Sequence, residues 1–86
     1  MSDLKASFEA AVASSKNLSE RPDNATLLKL YALYKQSVDG DVEGKRPGFT
    51  DMVGRAKHDA WAECKGTASN EAMRQYVALI EALKTA

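Results

Sequence analysis

The chain has 86 residues, the size of one domain, and its 12 lysine and arginine residues are balanced by 12 aspartate and glutamate residues. Because nucleic-acid-binding proteins normally carry a basic excess, the net charge of zero argues against that class. The single cysteine, Cys64, excludes an internal disulfide bond and gives no sign of an oxidising compartment.

The first predicted helix carries apolar residues at three- and four-residue steps from Leu4 to Leu18, which places them on one face. It ends before Pro22, because proline disfavours a helical conformation in the residue that precedes it. Asp23 or Asn24 is then predicted to cap the second helix.

The second predicted helix has one apolar stripe, whose members follow at helical spacing. They are Leu27, Leu28, Leu30, Tyr31, Tyr34 and Val38. Leu33 lies off this stripe, and we expect its side chain to be partly exposed.

The longest loop is predicted from Asp39 to Phe49, where glycines and a proline interrupt the helical pattern. A third helix follows from about Asp51, and Gly66 stands in the usual position after its end. Its apolar residues lie on a broad arc formed by Met52, Ala56, Ala60, Trp61 and Cys64.

The fourth helix is predicted to begin with Thr67 or Ser69 as its cap. Its apolar stripe consists of Met73, Tyr76, Val77, Ile80 and Leu83. No segment of the sequence shows the sustained two-residue alternation of a strand. The pattern predicts an all-α four-helix bundle, in which the long middle loop lets the second and third helices run parallel.

Targeting signals are not evident in the sequence. The first residues, Met-Ser-Asp-Leu-Lys, contain no apolar run typical of a signal peptide. The apolar runs are also far shorter than the roughly 20 residues that span a bilayer. We therefore expect a soluble cytoplasmic protein.

Aromatic and basic residues coincide on the second and third helices. Tyr31, Tyr34 and Lys35 share one helical face, and two phenols beside an ammonium suit a ligand with a flat ring and a phosphate. Lys57 falls within the apolar arc of the third helix, where its ammonium needs water or a partner. Two interpretations stay open: the tyrosines pack and the lysine extends to solvent, or Lys35 and Lys57 share an anion across a groove.

The segments Tyr-Ala-Leu-Tyr-Lys-Gln (31–36), Lys-Arg-Pro-Gly (45–48) and Asp-Ala-Trp (59–61) closely resemble the acyl-CoA-binding protein family. The resemblance covers nearly the whole chain. It implies one domain, residues 1–86, folded as an up-down-down-up bundle that binds medium- to long-chain acyl-CoA thioesters non-covalently. It also implies a monomeric carrier without catalysis, without a cofactor, and without nucleic-acid binding or stable membrane insertion.

The resemblance further implies a set of ligand-binding residues. They are Lys16, Leu27, Leu28, Tyr31, Ala32, Leu33, Tyr34, Lys35, Lys57 and Tyr76. Tyr31, Lys35 and Lys57 would hold the 3′-phosphate of coenzyme A. Tyr31 and Tyr34 would line the nucleotide site, and Lys16 would meet the nucleotide from the first helix.

Two positions depart from the family pattern. Val53 stands where many family members carry a lysine that contacts the ligand, and His58 stands where many carry tryptophan or another bulky residue. We expect the loss of one cation at residue 53 to weaken nucleotide binding, although neither departure affects the three residues expected at the 3′-phosphate.

Other site types fit the sequence less well. The segment 39–44, Asp-Gly-Asp-Val-Glu-Gly, resembles the start of a calcium loop, but Thr50 replaces the glutamate needed at position twelve. His58 and Asp59 are sequence neighbours and so point apart on a helix, and no metal-ligand spacing or catalytic motif is present. We expect Cys64 to be buried and inert.

Two other functional classes compete with an acyl-CoA carrier. An acyl carrier protein needs a serine for its covalent arm, commonly in Asp-Ser-Leu, which is absent here. A helical protein-interaction module without a coenzyme A ligand would use an exposed Leu33 and would form dimers or partner complexes.

Overall fold

The computed structural model describes residues 3–85, which form four α-helices and one short 3-10 turn. Helix α1 spans Asp3–Ser14 and leads into the 3-10 turn Ser15–Asn17; α2 spans Asn24–Asp39, α3 spans Met52–Ala62 and α4 spans Ser69–Thr85. Across residues 3–85 there is no strand, so the all-α expectation is confirmed. The expected domain, residues 1–86, and the interpretation of Met1 and Ser2 extend outside the described residues.

None of the helices in the described part of the chain is both long and apolar enough to cross a membrane.

Aspartate side chains cap the starts of two helices. The carboxylate of Asp23 accepts a hydrogen bond of 2.8 Å from the backbone N–H of Thr26, which confirms the predicted cap of α2. Asp51 accepts one of 3.0 Å from the backbone N–H of Gly54 at the start of α3. Each cap satisfies a first-turn N–H group that has no partner within its own helix.

Helices α2 and α3 run parallel. The indole Nε1–H of Trp61 donates a hydrogen bond of 2.8 Å to the carbonyl oxygen of Gly40, which joins the C-terminal ends of the two helices. Near their other ends, Leu27 and Met52 line the same groove. The loop of residues 40–51 is long enough to return the chain between these distant ends, as the sequence predicted.

The remaining helices complete an up-down-down-up arrangement. Gln36, near the end of α2, donates a hydrogen bond of 2.8 Å to the carbonyl oxygen of Thr67, just before α4, so these two helices are antiparallel. Lys5 near the start of α1 and Val38 near the end of α2 line one hollow, so α1 is also antiparallel to α2.

The core is formed around α2, which packs against both α3 and α4, while α1 packs against α4. Its buried apolar side chains are Phe8, Ala11, Leu30, Ala32, Leu33, Cys64, Ala72, Tyr76 and Ile80. The bundle is thin, with Cα extents of 37 × 31 × 15 Å, so much of each helix remains near the surface.

The predicted buried faces of α2 and α3 were wrong in part. Leu33 is 1 % exposed instead of partly exposed, whereas Val38 is 55 % and Met52 is 76 % exposed. Because α2 has a helix on each side, its buried arc is displaced toward Ala32 and Leu33. The stripe that ends at Val38 is left facing outward, and Met52 is the first residue of α3, at its exposed end.

A hydrogen-bonded cluster of Gln36, Asp41, Gly66 and Thr67, which we call the Asp41 clasp, joins the end of α2 to the turn before α4. The Asp41 carboxylate accepts bonds from the Gly66 backbone N–H (2.9 Å) and from the buried amide of Gln36 (2.8 Å). The Gly66 bond is the main cause that lowers the pKa of Asp41 below its ordinary value. The clasp therefore favours an ionised carboxylate.

Candidate functional site

An open groove of about 450 Å³ lies between the N-terminal halves of α2 and α3. We call it the α2–α3 groove. Its lining residues are Arg21, Asn24, Leu27, Leu28, Tyr31, Met52, Val53, Ala56 and Lys57. Most of these side chains are apolar, with polar groups at the edges, so the groove suits an apolar chain that carries a polar end.

A second hollow, of about 290 Å³, lies on the other side of Tyr31, and we call it the aromatic hollow. Its lining residues are Ser15, Leu18, Pro22, Leu27, Leu30, Tyr31, Tyr34 and Tyr76. Leu27 and Tyr31 line both cavities, so the aliphatic groove and the aromatic hollow meet along these two side chains. One ligand with an apolar part and a flat aromatic part can therefore occupy both.

The ring of Tyr34 packs on the core. It stacks on Phe8 with centroids 6.0 Å apart and an interplanar angle of 23°, and Phe8 in turn makes an edge contact with Tyr76 at 5.2 Å. Tyr34 remains 39 % exposed. A ring held by an aromatic neighbour and open on the outside is a suitable platform for a flat heterocycle.

Two lysines connect α2 and α3, and each contacts an aromatic ring. The Nζ atom of Lys57 lies 5.4 Å from the ring centroid of Tyr31, and the Nζ atom of Lys35 lies 5.0 Å from that of Trp61. Each lysine thus reaches from its own helix to an aromatic ring on the other. Tyr31 and Lys35 are four residues apart, as are Lys57 and Trp61, so the two contacts occupy successive helical turns on one side of the bundle.

The ammonium group of Lys35 also forms an ion pair with the carboxylate of Asp39, one turn further along α2. The hydrogen bond to this carboxylate is the main cause that raises the pKa of Lys35 above its ordinary value. Lys35 is therefore a cation at physiological pH, but it already has an anionic neighbour.

The remaining expected ligand residues have different surroundings. Ala32 and Leu33 are each 1 % exposed and pack in the core, so neither side chain lines the α2–α3 groove or the aromatic hollow, and their place in the ligand set stays a prediction. Tyr76 is 4 % exposed and forms part of the wall of the aromatic hollow. Lys16 is exposed in the 3-10 turn, next to Ser15, which lines that hollow.

Sequence reasoning missed several residues that shape the site. Trp61 was predicted only as part of the apolar arc of the third helix, and Met52 and Ala56 were not predicted to line a groove. The ion pair of Lys35 with Asp39 was also missed, although its four-residue spacing on a helix was a usable signal. The contact of Lys35 with Trp61 had no such signal, because it depends on how α2 and α3 pack.

The rejected site types gain no support from the structure. Within residues 3–85, no group of three or more histidine, cysteine or acidic residues is arranged to hold a metal ion. Arg46 forms two hydrogen bonds of 2.7 Å with Asp59, and this contact lowers the pKa of the Asp59 carboxyl group. Cys64 is buried, as expected, and burial raises the pKa of its thiol.

A family model described as acyl CoA binding protein matches residues 5–80 of the chain. The chain belongs to the acyl-CoA-binding protein family. The acyl-CoA-binding protein homolog 1 of Caenorhabditis elegans is 49 % identical over 77 residues, which cover 90 % of each chain. The acyl-CoA-binding protein of Dictyostelium discoideum is 42 % identical over 78 residues, covering 91 % of this chain and 93 % of the relative.

Solved structures agree with this membership of the acyl-CoA-binding protein family. The crystal structure of Oryza sativa acyl-CoA-binding protein 2 superposes with a TM-score of 0.89 at 36 % identity, covering 93 % of this chain and 87 % of that one. The corresponding structure from Moniliophthora perniciosa gives a TM-score of 0.87 at 35 % identity, covering 92 % and 78 %. The expected fold class is therefore confirmed.

Proposed function

We propose that this protein binds medium- to long-chain fatty acyl-CoA thioesters non-covalently and carries them between enzymes and membranes. The observation that carries the proposal is that an aliphatic groove, an aromatic hollow and the ammonium of Lys57 meet at Tyr31, with Lys35 one helical turn further along α2. An acyl-CoA has three matching parts, which are an apolar tail, a flat base and phosphate groups. The relatives that bear the name acyl-CoA-binding protein support the same ligand.

The apolar part of the ligand supplies much of the binding free energy. In water an acyl chain exposes its whole surface, and covering it recovers about 25 cal/mol for each Å². We propose that Leu27, Leu28, Met52 and Ala56 cover this chain, because they line the α2–α3 groove. A longer chain should then bind more tightly until the groove is filled.

The polar part of the ligand sets its orientation. In this proposal Lys57, Lys35 and the hydroxyl of Tyr31 hold the 3′-phosphate, and the base stacks on Tyr34. Phosphate offers several acceptor oxygens to such donors, and contacts with charged groups are stronger than those between neutral groups. Lys16 approaches the nucleotide from the 3-10 turn.

Further attributes belong to the same proposal. We propose a single acyl-CoA-binding domain of residues 1–86 that acts as a monomer in the cytoplasm, without catalysis, cofactor or nucleic-acid ligand. The zero net charge of the chain and its lone, buried cysteine are consistent with these attributes. Analytical ultracentrifugation with and without palmitoyl-CoA would measure the oligomeric state.

Titration calorimetry tests the proposed ligand. We expect one palmitoyl-CoA per chain, weaker binding of octanoyl-CoA, still weaker binding of coenzyme A alone, and weaker binding of the ester that lacks the 3′-phosphate. Mass spectrometry of the purified protein should show no covalent phosphopantetheine arm. The absence of heat and of any shift in melting temperature with palmitoyl-CoA would overturn the proposal.

The alternative of a protein-interaction module loses the feature on which it depended. It required an exposed Leu33, and this side chain is buried in the core. We therefore do not propose it as a second function.

A further inference from the structure

The two lysines of the site differ in their electrostatic surroundings. Lys35 forms an ion pair with Asp39, and the two side chains are 28 % and 44 % exposed. Within residues 3–85, Lys57 has no carboxylate at ion-pair distance, and its ammonium lies over Tyr31. A phosphate that approaches both lysines thus meets one cation with a resident anion and one without.

We infer that Asp39 weakens phosphate binding at this site, because its carboxylate competes with the 3′-phosphate of the ligand for the ammonium of Lys35. The inference rests on the proposed function and identifies a residue that sets how strongly the protein distinguishes phosphorylated from dephosphorylated ligands. Asp39 was not among the residues expected to act on the ligand.

Competition follows from charge and geometry. The ammonium of Lys35 is a compact cation with three donors, and Trp61 covers one of its sides. A phosphate that takes a donor of Lys35 comes close to the Asp39 carboxylate, because the two side chains are in direct contact. Like charges at such separations repel, so the phosphate must displace the carboxylate or bind beside it.

The position of Asp39 makes it a suitable residue to change. It is the last residue of α2, where a negative charge is unfavourable to the helix dipole. The substitution Asp39→Asn removes the charge and keeps the size of the side chain, and asparagine is well tolerated near helix ends. We therefore expect the variant to fold.

Calorimetry of Asp39→Asn provides the test. We expect palmitoyl-CoA to bind at least about threefold more tightly than to the wild type, because an exposed charge interaction changes affinity by a few-fold. Binding of the palmitoyl ester that lacks the 3′-phosphate should be unchanged. The gain should shrink at high salt, where charge interactions between exposed groups are screened.

Two controls separate local competition from a general effect of charge. Glu43→Gln makes the same change in net charge in the exposed loop after α2, and it should leave both affinities unchanged. In a Lys35→Met background, Asp39→Asn should give a clearly smaller gain in palmitoyl-CoA binding, because only the direct repulsion between Asp39 and the phosphate remains. Circular dichroism of each variant checks that the fold is retained.

The possible outcomes are distinct. If the wild type binds palmitoyl-CoA but Asp39→Asn binds it equally or more weakly, the inference fails and the proposed function stands. An equal gain in Glu43→Gln, in the Lys35→Met background, or with the dephosphorylated ester also rejects it. If the wild type binds no acyl-CoA, both the proposed function and the inference are rejected.

Discussion

Lys57 is the residue on which polar recognition depends most directly. Its ammonium lies over the ring of Tyr31, where it stays accessible to a ligand, and its side chain also lines the α2–α3 groove. It needs no rearrangement to meet a phosphate that lies above the groove. Lys35, in contrast, must exchange or share its contact with Asp39.

Replacing Lys57 with alanine should weaken binding of palmitoyl-CoA at least tenfold, or about 1.4 kcal/mol, because one charged donor to the phosphate is lost. Calorimetry measures the loss, and the melting temperature should stay near that of the wild type because the side chain is exposed. Lys29→Ala is a matched control, since Lys29 is an exposed lysine on α2 that does not line the groove. Equal affinities for the Lys57 variant and the wild type would contradict the assignment.

Part of the site could be predicted from the spacing of single residues in the sequence. The spacing of Tyr31, Tyr34 and Lys35 on one helical face was enough to group them, because that grouping needs only the helical period. The contact of Lys57 with Tyr31 depends on the relative position of two helices, and periodicity within one helix does not specify it. Resemblance to a family supplied that connection.

The turn between α3 and α4 contains a glycine with a positive φ. Gly66 has a φ of 92°, a conformation that residues with a Cβ atom rarely adopt, and its N–H donates to Asp41 in the clasp. A Cβ atom at this position would meet nothing within 4 Å, so a substitution is strained through its backbone conformation alone.

Gly66→Ala should therefore destabilise the bundle by about 1–2 kcal/mol, the usual difference for a side-chain-bearing residue in the left-handed region. Urea denaturation measures the change. Gly48→Ala is a suitable control, because Gly48 does not have a positive φ and a Cβ atom there also meets nothing within 4 Å. Should the two variants be equally stable, the backbone of Gly66 would not be the cause.

Helix starts were predicted better than helix faces. Asp23 caps α2 and Asp51 caps α3, close to where the helix starts were expected, whereas α3 ends at Ala62 and not directly before Gly66. The buried face of α2 depends on how many helices surround it. Because α3 and α4 both pack on α2, Leu33 is buried and Val38 is exposed, which a single apolar stripe cannot indicate.

Three carboxylates make the stability of the whole molecule depend on pH. Hydrogen bonds lower the pKa of Asp23, Asp41 and Asp59, from Thr26, Gly66 and Arg46 respectively. A carboxyl group whose pKa is lower in the folded state stabilises the fold. This contribution is fully present above the pKa of the unfolded state, about 3.8, and is lost as pH falls toward the pKa of the folded state. The fold should therefore weaken below pH 4.

Melting temperatures measured between pH 7 and pH 2 should show this loss, with little change down to about pH 5 and a decrease at lower pH. The variant Asp41→Asn should be less stable than the wild type at neutral pH. The difference between the two proteins should narrow at the acid end, where the wild-type carboxylate is protonated. A difference that stays constant across the whole range would show that ionisation of Asp41 does not contribute.

The order and direction of the helices were predictable, because connection lengths restrict which helices can be neighbours. The long loop predicted the parallel pair α2 and α3, which the Trp61–Gly40 hydrogen bond joins. The thin shape of the bundle was not predictable, since it reflects how four helices spread around α2. This shape leaves the groove and the hollow open beside a small core.

Trp61 is the only tryptophan in the chain, and the ammonium of Lys35 lies 5.0 Å from its ring. Indole fluorescence responds to nearby charge, and a ligand that draws Lys35 away would change the field at the excited ring. Trp61 is thus an intrinsic fluorescent probe next to Lys35, whose ammonium would exchange Asp39 for the phosphate of the ligand. Emission spectra recorded during a titration would follow that exchange without a label, and in stopped flow they would give its rate.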